Sequence, residues 1–344
     1  MQASPYTPGF YAQHRDRARS SADILVPLLV DLIGPRHVVD VGCGTGIWLA
    51  AFRRHGVDDV CGIDGTWVEP HTLLIPTDRF LPRDLRQPLE LDRTFDLAIS
   101  LEVAEHLPSA DAATFVASLT RLAPVVVFSA AIPHQGGTDH VNEQWPEYWV
   151  AHFTAHDYVP VDRLRRSVWD DPGVEWFYAQ NMLLFVRRNQ LADRPRLLDE
   201  APAPHDRGLA LVHPQQYLDT IALMRRLHET AIDLVTLIPR HASFVLVDDA
   251  YLQALEAQFG VRVAPERQTI PFLERDGRYG GPAADSATAI AELERLRAGG
   301  ARFVVFAWTG TWWLDHYREF RMHLESHYRC RVANTRVVAF ELVR

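Results

Sequence analysis

Val38-Val39-Asp40-Val41 runs directly into Gly42-Cys43-Gly44-Thr45-Gly46, and this junction constrains the chain more than any other segment. An apolar run of β-branched residues suits a central parallel strand buried on both faces. Three glycines at alternate positions let a backbone turn and pass close to a bulky ligand without Cβ collisions. Ile47-Trp48-Leu49-Ala50-Ala51-Phe52 then reads as a helix. The segment therefore predicts a strand-turn-helix nucleotide cradle near the N-terminus, with an acid, Asp40, just before the turn. Spacing selects among cradles. A dinucleotide fingerprint needs G-x-G-x-x-G, but here the third glycine comes one residue early and Ile47 takes its place. A phosphate-binding P-loop needs Gly-Lys-Ser/Thr, which does not follow.

The rest of the chain extends this pattern. Between residues 38 and 187 apolar strands alternate with helical patterns, as in a doubly wound α/β sheet. Strands are expected at 37–41, 58–63, 95–101, 124–129, 157–162 and 181–187, after an amphipathic helical segment at 9–33. Residues 188–208 turn polar, with Pro195, Pro202 and Pro204, and read as a linker. A second unit follows, with helical periodicity at 214–237, a buried strand at 244–249 and a helix at 285–298 capped by Asp285. A strand at 302–308, a helix near 312–328 and a terminal hairpin at 330–343 complete a smaller α/β domain. The expected division is a nucleotide-binding domain at 1–190, a linker at 191–208 and the smaller domain at 209–344. At 344 residues the chain is long enough for two domains.

Composition removes several function classes. The net charge of −9 argues against a long nucleic-acid backbone as partner. Arg163, Arg165 and Arg166 could make a local basic face, though a charge run of this kind is usually solvated surface. No apolar run reaches the ~20 residues of a membrane span. The first residues lack a charged region followed by a hydrophobic segment, and the three cysteines, 43, 61 and 330, are scattered. A cytoplasmic location is expected, with Cys43 and Cys61 as buried thiols. All 35 basic residues are arginine and none is lysine, which excludes Schiff-base and lysine-base chemistry.

Acids recur where a nucleoside needs them. Val60-Cys61-Gly62-Ile63-Asp64-Gly65 puts a carboxylate at the end of the second strand, suited to accept both ribose hydroxyls. Phe80-Leu81-Pro82-Arg83-Asp84-Leu85 supplies another loop acid. Phe95–Leu101 and Val125–Phe128 then read as two more core strands. Together with the D-x-G-x-G-x-G turn, these elements resemble class I S-adenosylmethionine (SAM) methyltransferases over residues 35–187. The resemblance implies a Rossmann-like methyltransferase sheet with SAM as cofactor. It places Asp40, Gly42, Gly44 and Gly46 at the methionine end, Asp64 and Gly65 at the ribose, and Asp84 and Leu85 at the adenine. Leu101 joins the same cofactor site. Trp67 reads either as a wall of the adenine pocket or as a core aromatic. A lid is expected over a site that works by positioning and desolvation, and Tyr6, Phe10 and Tyr11 are its candidates.

A second group of residues faces the cofactor. Glu102, Glu105 and His106 follow the fourth strand, and if helical they share one face at i, i+3 and i+4. His134 and His140 follow the fifth. Glu102, Glu105, His106 and His140 form the expected reaction centre, and two readings of it compete. One is a divalent metal site, for Mg²⁺ or better Mn²⁺, Fe²⁺ or Zn²⁺. That arrangement resembles the E-x-x-E-H plus downstream His of plant-type small-RNA 2′-O-methyltransferases, and ubiquinone-pathway O-methyltransferases carry a similar cluster. The other makes His106 or His140 a metal-free general base. His140-Val141-Asn142-Glu143-Gln144-Trp145-Pro146-Glu147-Tyr148-Trp149 offers aromatics for stacking and polar groups for hydrogen bonds to a substrate.

The expected function is methyl transfer from SAM to oxygen of a small hydroxylated molecule such as a sugar, glycan or glycosylated metabolite. Transfer to nitrogen, carbon or a carboxylate, or a non-catalytic SAM-binding scaffold, are the alternatives. In the smaller domain no nucleotide motif occurs. It would bind an acceptor, form a homodimer interface or buttress the first domain; exposure of Trp312 and Trp313 would favour binding, and burial a core role.

Overall fold

In the computed structural model, residues 8–198, 208–275 and 278–342 are described. The chain divides into two compact units, Met1–Leu218 and Asp219–Arg344. Tyr6 lies outside the described residues, as do the side chains of Phe10 and Tyr11, so the expected lid falls beyond them.

The first unit is built on β1 (His37–Val41), β2 (Asp59–Asp64), β3 (Phe80–Pro82), β4 (Leu97–Leu101), β5 (Val125–Ser129), β6 (Tyr158–Val161) and β7 (Leu183–Arg187). These form one seven-stranded sheet in the order β3-β2-β1-β4-β5-β7-β6. All neighbours are parallel except β7, which runs antiparallel to both β5 and β6. The β-branched runs behave as central strands must. Val38, Val125 and Val127 pack into the core on one face, while Val39, Val41, Val126 and Phe128 pack into the other.

Helices cover both faces. On one side lie α1 (Pro8–Ile33) and α2 (Ile47–Arg54), which bury Leu25, Leu29, Leu49 and Phe52. On the other lie α3 (Ala112–Leu122) and α4 (Pro146–Thr154), burying Phe115, Leu119, Trp149 and Phe153. Short helices α5 (Arg165–Val168), α6 (Trp176–Asn181) and α7 (Pro195–Leu198) complete the unit. The polar segment after β7 is not detached: Leu197 is fully buried, and Arg194 and Arg196 donate to the Ile33 and Asp31 carbonyls of α1. The three arginines at 163, 165 and 166 do not make one continuous basic face. Arg165 is 1% exposed, paired with Asp162 and donating to the Gln180 and Leu209 carbonyls.

The division between the units falls inside α8 (Pro214–Leu237). The second unit continues with β8 (Ser243–Val247), α9 (Tyr251–Phe259), β9 (Gln268–Pro271), and the small hairpin β10 (Glu274–Arg275) and β11 (Arg278–Tyr279). Then come α10 (Ser286–Ala298), β12 (Phe303–Ala307), α11 (Trp312–His316), α12 (Arg318–His327), β13 (Arg329–Ala333) and β14 (Val337–Glu341). Its five-stranded sheet has the order β13-β14-β12-β8-β9, with β12, β8 and β9 parallel. Asp285 caps α10 by accepting from Thr288 N–H at 2.7 Å. Among the described residues, no helix is long and apolar enough to cross a membrane.

Candidate active site

The chain runs from β1 outward to β3 on one side, then crosses to β4 on the other. Carboxyl ends of β1 and β4 therefore flank the crevice where an open α/β sheet receives its ligand. The glycine turn sits at the first of these ends. Gly42, Gly44 and Gly46 have φ of 87°, 51° and 80°, a region that side chains other than glycine enter at a cost. At Gly42 a Cβ would also fall 2.3 Å from Val103 Cγ2. Gly42 N–H donates to the Ile63 carbonyl at 2.7 Å, which ties the turn to the end of β2.

Asp64, only 6% exposed, organises that junction. Its Oδ2 accepts from Gly44 N–H at 2.7 Å and its Oδ1 from Gly65 N–H at 2.6 Å. Burial raises its proton affinity, and bonds from Gly44, Gly65 and the Trp67 side chain oppose the rise. Trp67 is 41% exposed, so it is not a core aromatic; its ring lies over Gly65, where a Cβ would be 2.2 Å from it. Asp40 lies beneath the turn. Burial, and then the Asp64 charge, push its carboxyl well above the usual range, and its Oδ2 has no hydrogen-bond partner.

A cavity of about 700 Å³ opens over these residues, lined among others by Gly42, Gly44, Asp64, Asp84, Glu102 and His106. Its one arginine, Arg86, grips Asp84 bidentately at 2.9 and 2.7 Å and holds that carboxyl below its ordinary range. Leu85 also lines the cavity, and Leu101 is buried at the end of β4. The donor set fits SAM: an acid-rich lining receives a cationic sulfonium and ammonium, and a buried acceptor, Asp40 Oδ2, awaits a donor. A phosphate-bearing cofactor would meet carboxylates in their place.

Across the cavity stand the acids and histidines. The helical face expected at 102–106 is absent: Glu102 has φ 53°, and only a 3₁₀ turn, Ala104–His106, follows. Glu102 N–H is drawn to Ser129, at 3.0 Å from its carbonyl and 3.1 Å from its Oγ. The Glu102 carboxylate accepts from Gln135 at 2.8 Å and from Asn181 at 3.1 and 3.3 Å. Burial raises its proton affinity, and those donors offset part of the rise. Glu105 points inward with 0% exposure, and neither carboxylate oxygen meets a donor at bonding geometry. Burial, and then the Glu102 charge, raise its proton affinity well above the ordinary value.

His106 and His140 meet edge to face, with ring centroids 4.8 Å apart. Burial, with His140 as a second cause, lowers His106 to about 4, so its ring is neutral at physiological pH. His140 Nδ1 lies 2.9 Å from Glu143 Oε1, which leaves Nε2 as the other functional atom. Nε2 sits over the chain at Gly137, where a Cβ would come within 2.2 Å of it. One potential ligand atom each from Glu105, His106 and His140 lies within 4.8 Å of the others, and Glu102 is not in that group.

Glu143 is a residue whose position the sequence did not reveal. It accepts from His134 N–H at 2.7 Å, Gly136 N–H at 2.8 Å and His140, so it shapes the loop rather than reaching for a substrate. Burial opposes its ionisation, but these three donors win and hold it below its usual range. Asn142 is likewise buried, with its side-chain carbonyl bonded to Gln144, and Trp149 packs on Phe128 in the core. Of the loop aromatics, Trp145 stays 42% exposed. His134 contributes its backbone at φ 67°. Cys43 is buried as expected, whereas Cys61 is only partly so.

The unpartnered Glu105 carries a testable consequence. Its folded-state proton affinity exceeds the unfolded value, so the proton is retained on folding. Stability then falls as pH rises from the ordinary carboxyl range to the folded value, above which the full cost persists. Glu105→Gln should therefore stabilise the metal-free protein at pH 7.5 by about 1–3 kcal/mol. A thermal melt would show a rise in Tm of several degrees that disappears below about pH 4. An unchanged or lower Tm at pH 7.5 would mean Glu105 is not an isolated buried charge.

Residues 11–170 match the family model described as a methyltransferase domain. No curated protein matches the chain. Solved structures that resemble it include the sugar N-methyltransferase KedS8 from Streptoalloteichus sp ATCC 53650, at 18% identity and TM-score 0.43 over 55% of this chain and 95% of that one. Another is CalS10, an amino pentose methyltransferase from Micromonospora echinaspora, at 17% identity and TM-score 0.39 over 54% and 100%. Magnesium protoporphyrin IX methyltransferase ChlM from Synechocystis PCC 6803, with bound SAH, shows 20% identity and TM-score 0.39 over 54% and 89%. Strand order, a glycine turn tied to a buried acid, and the family match agree on the first unit: residues 11–170 of this chain are a methyltransferase domain of the SAM-dependent kind.

Proposed function

We propose that the chain transfers the methyl group of SAM to a hydroxyl oxygen of a small hydroxylated molecule, such as a sugar or glycosylated metabolite, with His140 as general base. The observation that carries this reading is the His140–Glu143 pair at 2.9 Å. It stands beside His106, which lines the cavity that also contains Asp64. Bound SAM supplies a methyl group already activated by its sulfonium. What remains for the protein is to hold the acceptor in line, exclude water and receive one proton. Glu143 fixes His140 with Nδ1–H toward the carboxylate, so Nε2 takes the hydroxyl proton as the oxygen gains the methyl. Asp64 holds the ribose, Asp40 lies under the methionine end, and Asp84 with Leu85 borders the adenine.

A specific observation favours a second reading. Two unpartnered oxygens on a fully buried Glu105, next to a neutral His106 and an oriented His140, suit a divalent cation of the Mn²⁺, Fe²⁺ or Zn²⁺ kind. Such an ion would lower the pKa of a hydroxyl placed on it.

One experiment separates these readings and tests both. Purified protein is incubated with methyl-labelled SAM and a panel of glycosides, amines and carboxylates, after exhaustive EDTA dialysis and with Mn²⁺ or Mg²⁺ restored. Label in an ether after EDTA supports the His140 reading alone, and activity that returns only with metal supports the Glu105 site. Label confined to nitrogen or a carboxylate would overturn O-methylation.

A further inference from the structure

The second unit contains a crevice of its own. Its chain leaves β8 through α9 to β9 on one side, then returns through α10 to β12 on the other. The direction of winding reverses between β8 and β12, and the carboxyl ends of such a strand pair are where open α/β sheets bind ligands. Asp248, Asp249 and Ala250 follow β8 there, and Trp308 to Thr311 follow β12. The two loops touch. A Cβ at Gly310 would lie 2.2 Å from the Val247 carbonyl oxygen, and Thr309 Oγ1 donates to the Asp248 carbonyl at 2.8 Å.

Trp312 stands at this crest with 39% of its surface in water, while Trp313 beside it is fully buried. The exposed indole is fixed in place: its Nε1 donates to Asp249 Oδ2 at 2.8 Å, and it rests on Trp313 and His316 at 5.7 and 5.6 Å. A single exposed aromatic is ordinary. An aromatic held by a carboxylate across two loops, with its surface still in water, has already lost the freedom that binding would otherwise cost.

Charge narrows the ligand. The first N–H groups of α9, where a phosphate would bind, are occupied from within: Asp248 accepts from Ala250 N–H at 3.1 Å and Leu252 N–H at 2.8 Å. The charge in contact with the indole is the Asp249 carboxylate, which disfavours phosphate, sulfate and carboxylate ligands there; Asp248 is buried with its proton affinity raised, and Arg226 lies over Trp308 at 4.9 Å rather than at Trp312. An uncharged ligand with one C–H face and several hydroxyl donors suits both components, the indole through stacking and the carboxylate through hydrogen bonds.

We propose that Trp312 and Asp249 form a binding site for an uncharged pyranose ring in the second unit, with Trp312 as platform and Asp249 as hydroxyl acceptor. The site does not depend on which acceptor the methyl-transfer centre uses. The test uses the full chain and saturation-transfer NMR with methyl glycosides of glucose, mannose and galactose, and with methyl glucuronide and glucose 1-phosphate as anionic counterparts. Trp312→Ala, Trp312→Phe, Asp249→Ala and His140→Gln are compared with the parent protein, each after a thermal melt to confirm folding. At least one neutral glycoside should saturate the parent, with affinity lowered tenfold or more by Trp312→Ala and Asp249→Ala, largely kept by Trp312→Phe and unchanged by His140→Gln. The proposal is overturned if no neutral glycoside saturates, if Trp312→Ala binds as the parent does, or if the anionic sugars bind equally well. Binding lost in His140→Gln but kept in Trp312→Ala would place the sugar in the methyl-transfer centre and also overturn it.

Discussion

Asp64→Ala should weaken SAM binding by about 100-fold in calorimetry, or about 2.7 kcal/mol. The size follows from what the carboxylate does twice. In the proposed site it accepts the ribose diol, and hydrogen bonds to an ionised group contribute about 1.5–3 kcal/mol each. It also pins the Gly44 and Gly65 N–H groups, so its loss loosens the turn on which the cofactor rests. Each carboxylate oxygen has two lone pairs, so the backbone bonds leave capacity for the sugar. Asp64→Asn keeps the shape and half the acceptor capacity and should fall between the parent and the alanine variant. An Asp64→Ala protein that binds SAM within a factor of three of the parent would refute the ribose assignment.

His140→Gln should lower turnover by roughly 100- to 10,000-fold, the range expected for a lost general base, while leaving SAM affinity within a few-fold. In the proposed reaction His140 acts on the acceptor, so KM for the acceptor and kcat carry the loss. Glu143→Gln is the informative companion. It retains a hydrogen-bonding group near Nδ1 but removes the charge that fixes the ring, so it should cost less turnover than the histidine variant and also relax the His134–Gly137 loop. If His140→Gln retains near-normal turnover with an identified acceptor, the proton leaves by another route. His106, already neutral and lowered to about 4, is a weak base for that role.

The central strands of the first unit were legible because they are apolar on both faces and need no partner to be recognised. Elements that depend on distant groups were not. β3 has three residues, one of them proline, and exists through its pairing with β2. β9 is an edge strand with two exposed residues, and its Gln268-Thr269-Ile270-Pro271 reads as loop until β8 is beside it. The single helix expected at 312–328 breaks at Tyr317, whose hydroxyl donates to the Ala283 carbonyl at 2.6 Å. The reaction centre shows the same limit. Glu102, Glu105, His106 and His140 could be picked out by residue type, but the left-handed backbone of Glu102 reflects Ser129, 27 positions away, and its carboxylate is held by Asn181, 79 positions away. Glu143 reads in sequence as a polar group of the loop for hydrogen bonds to a substrate; its hold on His134, Gly136 and His140 emerges only when the loop closes on it.

The antiparallel placement of β7 bears on how the enzyme is made. As the chain emerges from the ribosome, β6 appears before the strand that separates it from β5, so β6 has no partner and β5 only β4 until β7 follows. Asn181, which holds Glu102, arrives in the same late segment. A fragment ending at residue 170, where the family match stops, would carry every glycine and acid of the cofactor site. It would nonetheless leave one edge of β5 bare, β6 unpaired and Glu102 held by Gln135 without the Asn181 amide, a species prone to aggregate rather than a smaller enzyme.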